Sequence, residues 1–346
     1  MSNEAHSNKA TGSSEADIIA LIDSMMQKKL QDDNPPGSHM PRDAHPKSHG
    51  LVKAEFIIEP NLPAAFRFGV FAQAKTYPTW IRYSNGAPKA AADSKNDVRG
   101  MAMKLMGVPG DKVMEDEKDA GTQDFLVCNH DVFFIRNVPD YAAFLAAVNG
   151  GNPLPFFIGF RPFHLRLHEA VVLFRALFQK VSSPLAIRYW SQTPYSLGPR
   201  AVKYSVKPSA GYIAPQGKIP VADADYMRHV MAVQLADSDV CLDFMVQLQG
   251  APEAMPVEDP TILWNEKESP FVKVATIRIP KQVFDTAERN QLAEDLSFTP
   301  WHTLPEHAPL GGINRVRRVV YEAISRLRHT VNGVLRQEPI SYLDVK

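Results

Sequence analysis

Hydrophobic positions along the chain follow two different periods. Residues 13–31 carry apolar residues three and four apart behind two serines and an early acidic residue, which predicts a helix. From about residue 50 the chain alternates in short runs separated by Pro, Gly and Asn, as is typical of β-strands. These runs cover residues 51–59, 66–74, 79–85, 98–108, 131–137, 201–208, 227–236, 241–250 and 271–280.

Helical spacing returns in four further segments: residues 139–151, 166–181, 285–296 and 315–329. No regular alternation of strand and helix is visible. The pattern therefore predicts the α+β class, with about eight antiparallel strands in a barrel or sandwich and helices outside. We expect a disordered arm and a helix over residues 1–40, followed by one domain over residues 41–346.

Composition excludes several classes of protein. The 346 residues have a formal net charge of zero, which gives no general attraction to nucleic acid or to anionic membranes. Two cysteines exclude a disulfide framework and a Cys-rich zinc site. The polar N-terminal residues predict no signal peptide, and no apolar stretch reaches the length of a membrane span. We therefore expect a cytoplasmic protein.

Candidate chemistry appears on the last predicted helix, residues 315–329. On a helical projection Arg317, Tyr321 and Arg328 share one stripe at the edge of an apolar face. One interpretation is a tyrosine at the border of the core with an arginine stacked on its ring. The other is an ionised phenol that binds a metal. Because the pKa of a tyrosine is near ~10, a phenolate at neutral pH needs roughly 4 kcal/mol of differential stabilisation.

Three other segments carry polar residues in settings that could be functional. His45 and His49 lie four apart, but Pro46 argues against the helix that a zinc pair would need, so an exposed basic loop is the alternative. Arg82 lies inside an apolar strand pattern and needs an anionic partner. Asn129 precedes a bulky apolar run, either as a turn residue or as a buried amide.

Together these segments resemble the heme catalase superfamily, whose motifs occur here in the family's order. The matching residues are Arg42, His45 and Lys47 in the distal segment; Arg82, Tyr83 and Ser84; Asp97, Arg99 and Gly100; Asn129 before Phe133, Phe134, Ile135 and Arg136; and Arg317, Tyr321, Arg326 and Arg328 in the proximal segment. The resemblance implies the family's eight-stranded antiparallel β-barrel with flanking helices.

The resemblance also implies heme b as cofactor, with the Tyr321 phenolate as the iron ligand. Arg317 would keep that oxygen ionised. Arg42, Arg82 and Arg328 would bind the heme propionates. An aromatic that packs on the porphyrin in the family corresponds to Tyr141.

On the distal side, His45 would move a proton between the two oxygens of a peroxide as a general acid–base. His49 is a rival for this role because the segment reads K-S-H-G rather than K-G. The amide of Asn129 would orient the peroxide. The chain continues only briefly after Tyr321, so it is most similar to the small, minicatalase-like branch of catalase-related proteins, whose pockets are often more open.

The implied function is consumption of hydrogen peroxide or organic hydroperoxides, as a peroxidase or catalase, in a response to oxidative stress. The alternatives are a lipid hydroperoxide isomerase or dehydratase of the allene oxide synthase type, a non-catalytic heme-binding protein, and a heme-free barrel that binds a small carboxylate. We expect a peroxide and an organic reductant or lipid hydroperoxide as partners, no nucleic acid, and leave a homo-oligomer open.

Residues 153–180 are apolar, aromatic and basic, with Arg161, Arg166, Arg175 and Lys180 interleaved. This composition is compatible with peripheral contact to a membrane. The alternative is a helix packed on the barrel or at a contact between subunits.

Overall fold

Eight antiparallel strands close into a barrel in the computed structural model, which describes residues 13–160, 163–214 and 222–342. The barrel strands, in chain order, are β1 Ser48–Ile58, β2 Thr76–Asn85, β3 Arg99–Met106, β4 Thr122–Cys128, β7 Tyr189–Trp190, β9 Arg200–Pro208, β10 Val240–Leu248 and β11 Val272–Ile279. Pairing of β9 with β10 closes the ring, and the short strand β8, Tyr195–Leu197, pairs with β9. The predicted eight-stranded barrel is confirmed.

The barrel interior is filled by side chains. Phe244 lies 5.0 Å from Phe56 and 5.1 Å from Phe125 between ring centroids, and Tyr204 lies 5.1 Å from Phe125. Since successive residues of a strand point to opposite faces, the alternate residues of β2, β3 and β4 point away from this aromatic core. The interior is therefore a packed core, and the outer face of these strands is the wall available to a site.

Helices lie outside the barrel in the described residues. They are α1 Glu15–Asp33, α2 Val138–Asn149, α3 Leu154–Phe157, α4 Leu167–Leu177, α5 Tyr226–Asp237, α6 Ala287–Asp295 and α7 Gly312–Asn332. Strands β5, Ile158–Phe160, and β6, Phe163–Leu165, form a separate hairpin before α4. The predicted apolar stripe of α7 is buried at Val316, Val320 and Ile324, which pack with residues of α1 and α2. None of the described helices is long and apolar enough to cross a membrane.

Three segments predicted as strands are not strands. Residues 66–74 form short 3₁₀ turns, and Gly69 at φ +53° takes a left-handed conformation that ends any extended run. Residues 227–236 lie in α5, where Met227, Met231 and Leu235 are buried at the four-residue spacing of a helix. Residues 131–137 are irregular, since the rings of this segment pack on α2 instead of alternating between two faces.

The predicted N-terminal helix is present as α1, capped by the hydroxyl of Ser14 with Asp17 reciprocating. The arm expected before it falls on residues 1–12, outside the described residues. The domain boundary at residue 40 stays a prediction.

Candidate functional site

A cavity of about 270 Å³ lies between the outer face of β2, β3 and β4 and helix α7. The strand wall consists of residues that share one face in register: Arg82 pairs with Ala102, and Ser84 pairs with Gly100, which pairs with Cys128. Of the nine residues assigned a role in the site from sequence, seven line it: Arg42, His45, Arg82, Tyr141, Arg317, Tyr321 and Arg328. The fold thus brings together side chains that are almost 290 residues apart in sequence.

A fixed cation lies beside the phenol of Tyr321. One turn of α7 separates the two residues, and Nη2 of Arg317 donates to the Tyr321 Oη at 3.2 Å. The other nitrogen, Nη1, donates to Thr193 at 3.2 Å and to Asn314 at 3.1 Å, so the guanidinium is held from both sides. Burial alone would lower the pKa of Arg317, but the phenol oxygens of Tyr321 and Tyr195 outweigh burial and raise it.

Three arginines converge on the C-terminal end of α6. Arg42 donates to the carbonyls of Ala293 at 2.9 Å and Glu294 at 3.0 Å, Arg82 donates to Ala293 at 3.1 Å, and Arg328 donates to the Glu294 carbonyl at 2.7 Å. The carbonyls at a helix C-terminus carry partial negative charge, which explains why cations gather there.

These three cations exceed the acidic groups around them. Within the described ranges their single ion pair is Arg328 with Glu294, at 3.1 Å. Burial, the largest cause, lowers the pKa of Arg42 and lowers that of Arg82 to about 10. The buried Nε of Arg42 has no hydrogen-bond partner among the described residues. Buried charges of this kind need anionic partners, so this end of the cavity is suited to carboxylates.

His45 stands at the strand wall in a strained backbone conformation, with φ +60°. Its Nδ1 lies 3.0 Å from the Oγ of Ser84. Burial, reinforced by the charges of Arg82 and Arg317, lowers the pKa of His45 to about 4. The imidazole is therefore neutral at pH 7 and able to accept a proton.

Gly100 makes room for this imidazole. A Cβ at position 100 would lie 2.6 Å from Nδ1 and Cε1 of His45 and 3.0 Å from the Oγ of Ser84. Any side chain there would displace the ring. This close approach gives the glycine of the D-x-R-G motif a direct structural role.

Two residues predicted for the site do not line the cavity. His49 is buried behind the wall, with Nε2 2.8 Å from Oδ1 of Asn85 and Nδ1 3.7 Å from Asp93. It lies on β1 and is enclosed by these partners, so of these two histidines His45 is the one that lines the cavity. The Oδ1 of Asn129 accepts from the backbone N–H of Arg99 at 2.6 Å, and its Nδ2 donates to the Oε1 of Gln179 at 3.1 Å. Its predicted contact with peroxide gains no support from this geometry.

Sequence reasoning missed Asp43, which lines the cavity two residues before His45. Burial raises the pKa of its carboxyl to about 6, although Lys29 acts in the opposite direction. Burial also raises the pKa of Tyr141, and the charge of Asp43 adds to that shift. No sequence signal distinguishes this aspartate from an ordinary loop residue, because its burial in the cavity wall comes from the folded structure and not from its neighbours in sequence.

Replacing Asp43 by asparagine is expected to stabilise the cofactor-free protein in a pH-dependent way. The pKa of about 6 in the folded state exceeds the usual value near 3.8, so ionising Asp43 opposes folding as the pH rises from 4 to 6. Asparagine does not ionise. Asp43→Asn should therefore raise the free energy of unfolding by up to about 3 kcal/mol above pH 6 and leave it unchanged below pH 4. Urea unfolding at pH 4 and pH 8 measures this difference.

The exposed Asp237, replaced in the same way, is the matched control for the change from carboxyl to amide outside the cavity. An equal gain from Asp43→Asn at both pH values would show that packing, rather than the buried charge, causes the stabilisation.

Comparison with known proteins finds a relative by sequence. The chain is 28% identical over 281 residues to a catalase-related peroxidase from Mycolicibacterium paratuberculosis, a match that covers 77% of this chain and 82% of that protein. No family model matches. The similarity to this catalase-related peroxidase supports the resemblance to the catalase superfamily.

Solved structures show the same fold. Catalase A from Saccharomyces cerevisiae superposes with a TM-score of 0.63 at 18% identity, over 90% of this chain and 66% of that one. A bacterial catalase gives 0.61 at 18% identity, over 95% and 63%. A fungal catalase gives 0.60, also at 18% identity, over 83% and 59%. The chain thus has the catalase fold and spans about three fifths of the length of these catalases.

Proposed function

We propose that this chain, with the fold of the catalases, is a peroxide-consuming oxidoreductase that binds heme b in the cavity beside α7. One observation carries the proposal: Tyr321 with its guanidinium partner, the neutral His45, and three arginines, of which Arg82 and Arg328 are buried, line the same cavity. No simple packing requirement explains this combination of buried charge in one place.

The residues present fit a heme. A porphyrin is flat and apolar with two carboxylates at one edge, and the cavity has apolar walls with an excess of cations at one end. Arg42, Arg82 and Arg328 would hold the propionates, and the oxygen of Tyr321 would hold the iron. Tyr141 lies on the cavity wall where an aromatic ring could pack against the macrocycle.

When bound, the heme supplies the redox centre that takes oxidising equivalents from peroxide. His45 contributes proton transfer: as a neutral imidazole it removes a proton from one peroxide oxygen and delivers it to the other. Ser84, 3.0 Å from Nδ1, holds the ring in place. Arg317 stabilises negative charge on the oxygen of Tyr321 through its 3.2 Å hydrogen bond.

Activity assays on the heme-loaded protein test the proposal. We expect loss of hydrogen peroxide or an organic hydroperoxide, with oxygen evolution for a catalase or oxidation of a phenolic dye for a peroxidase. A heme-loaded protein that consumes no peroxide would be a non-catalytic heme-binding protein. Rearrangement of a fatty-acid hydroperoxide without oxygen or dye oxidation would indicate the isomerase alternative. Either result would overturn the proposal. A cytoplasmic role in oxidative stress stays a prediction.

Replacing Gly100 by alanine is expected to lower peroxide turnover at least tenfold while heme stays bound. The new Cβ would push the His45 ring away from Ser84, and a displacement of about 1 Å can cost roughly 10²-fold in rate. Crowding should cost about 1–3 kcal/mol of stability. Steady-state turnover per heme and thermal unfolding measure the two effects.

Gly121→Ala is the matched control, since a Cβ at position 121 would meet nothing within 4 Å. Full turnover in Gly100→Ala would show that the position of the His45 ring does not matter for the reaction.

A further inference from the structure

The segment before and within α4 exposes large apolar side chains to solvent. We define the apolar face as Phe160, Phe163, Leu167, Val171, Phe174 and Phe178, each more than half exposed. Phe160, at 77%, is among the most exposed aromatic side chains of the described chain. A group of six large apolar side chains, each more than half exposed within 19 residues of sequence, is typical of an interaction site.

The face is built from two elements that present one surface. Phe160 and Phe163 pair across the hairpin of β5 and β6, with ring centroids 6.3 Å apart. On α4, Leu167, Val171 and Phe174 follow at four- and three-residue spacing and form one outward stripe.

The opposite side of α4 is already packed. Val172 and Ala176 are buried, and so is Glu169. The helix therefore needs no outward apolar residues to stay attached to the protein. Packing against the barrel, one of the two alternatives expected from sequence, does not account for the outward stripe.

The exposed charges at this face are positive. Arg175 follows Phe174 directly, Lys180 lies two residues beyond Phe178, and both are exposed. The one acidic residue of segment 153–180, Glu169, is 3.2 Å from Arg136 and buried. In a chain of zero net charge this is a local excess of cations beside apolar surface. Arg161 lies outside the described residues.

We propose that the apolar face binds the surface of an anionic lipid membrane. Aromatic and aliphatic side chains enter the headgroup boundary while flanking cations pair with lipid phosphates, the combination that interfacial helices use. A symmetric contact with a second copy of this chain would instead bury Arg175 and Lys180 against a face whose one acidic residue, Glu169, is already buried and paired with Arg136.

Packed aromatic rings join this face to the cavity. Phe133 lines the cavity, and ring centroids step from it to Phe134 at 5.3 Å, then to Phe144 at 5.0 Å and to Phe156 at 5.3 Å, next to the hairpin. If the proposed function holds, docking would bring the cavity close to hydroperoxides carried by membrane lipids. Binding itself does not depend on that function.

Vesicle flotation of the full-length, heme-loaded protein tests the proposal. With vesicles of phosphatidylcholine and phosphatidylglycerol at low salt, most of the protein should float. Pure phosphatidylcholine or high salt should reduce the floating fraction several-fold. The double variant Phe174→Ser/Phe178→Ser should lower the partition coefficient at least tenfold on both lipids. Arg175→Gln/Lys180→Gln should lower it on anionic vesicles alone.

The control variant is Ile213→Ser/Val283→Ser, which removes two exposed apolar side chains elsewhere and should float like the unmodified protein. Absence of flotation, or flotation that the Phe174 and Phe178 changes leave intact, would overturn the proposal. A dimer in sedimentation equilibrium that the same double variant dissociates, without flotation, would assign the face to a second copy. Because flotation does not measure turnover, failure here is separate from failure of the proposed function.

Discussion

Replacing Tyr321 by phenylalanine is expected to abolish peroxide turnover and to weaken heme binding. The change removes one oxygen atom, the atom that accepts the 3.2 Å hydrogen bond of Arg317 and that we assign to the iron. Loss of a residue that hydrogen-bonds to a metal ligand typically lowers metal affinity or activity 10–100-fold. Loss of the ligand itself should therefore lower turnover at least roughly 100-fold. Turnover per mole of protein and heme retained through gel filtration measure the two effects.

Tyr77→Phe is the matched control, because Tyr77 is a buried tyrosine of β2 whose side chain does not line the cavity. It should keep both heme and turnover. If Tyr321→Phe instead retained heme with an unchanged spectrum and full activity, Tyr321 would have only a packing role at the border of the core.

Replacing His45 by glutamine is expected to lower peroxide turnover by roughly 10²–10⁴-fold, the usual contribution of a general acid–base, with heme still bound. Glutamine preserves polarity and approximate size but cannot shuttle a proton. His49→Gln is the informative comparison. Since His49 is enclosed by Asn85 and Asp93, its loss should lower stability and leave turnover per heme nearly unchanged. Steady-state kinetics normalised to heme separate the two histidines.

The pH profile of the unmodified protein adds a second readout for His45. Its pKa is lowered to about 4, chiefly by burial, so the imidazole is neutral from pH 5 upward. Protonation at lower pH removes the base. The kcat/KM for peroxide should therefore be flat between pH 5 and 8 and fall below about pH 4.

Equal losses of turnover in His45→Gln and His49→Gln, or no loss in either, would contradict the assignment of His45 as the base.

Much of the proximal half of the site could be predicted from sequence because it is local. Arg317 and Tyr321 are one helical turn apart, so the period of α7 alone places them together. The strand that carries Arg82 could also be predicted from its alternating pattern, and in the structure Arg82 and Ser84 of β2 both line the cavity.

What could not be predicted depends on long-range packing. The buried Arg82 was expected to need an anionic partner, yet its guanidinium donates to two backbone carbonyls, that of Ala293 in α6 at 3.1 Å and that of Pro46 at 3.3 Å. Asp43 is exceptional only because distant helices bury it. The α5 segment alternates over a few residues as a strand would, and only its burial at Met227, Met231 and Leu235 reveals a helix. Short apolar runs are ambiguous in this way.

Titration of the heme-free protein with heme, followed by absorption spectroscopy, tests the central claim most directly. We predict saturable binding of one heme per chain, with a spectrum typical of ferric heme bound by a phenolate, and loss of that spectrum in Tyr321→Phe but not in Tyr77→Phe. No saturable binding by folded protein, or an identical spectrum in Tyr321→Phe, would contradict the account.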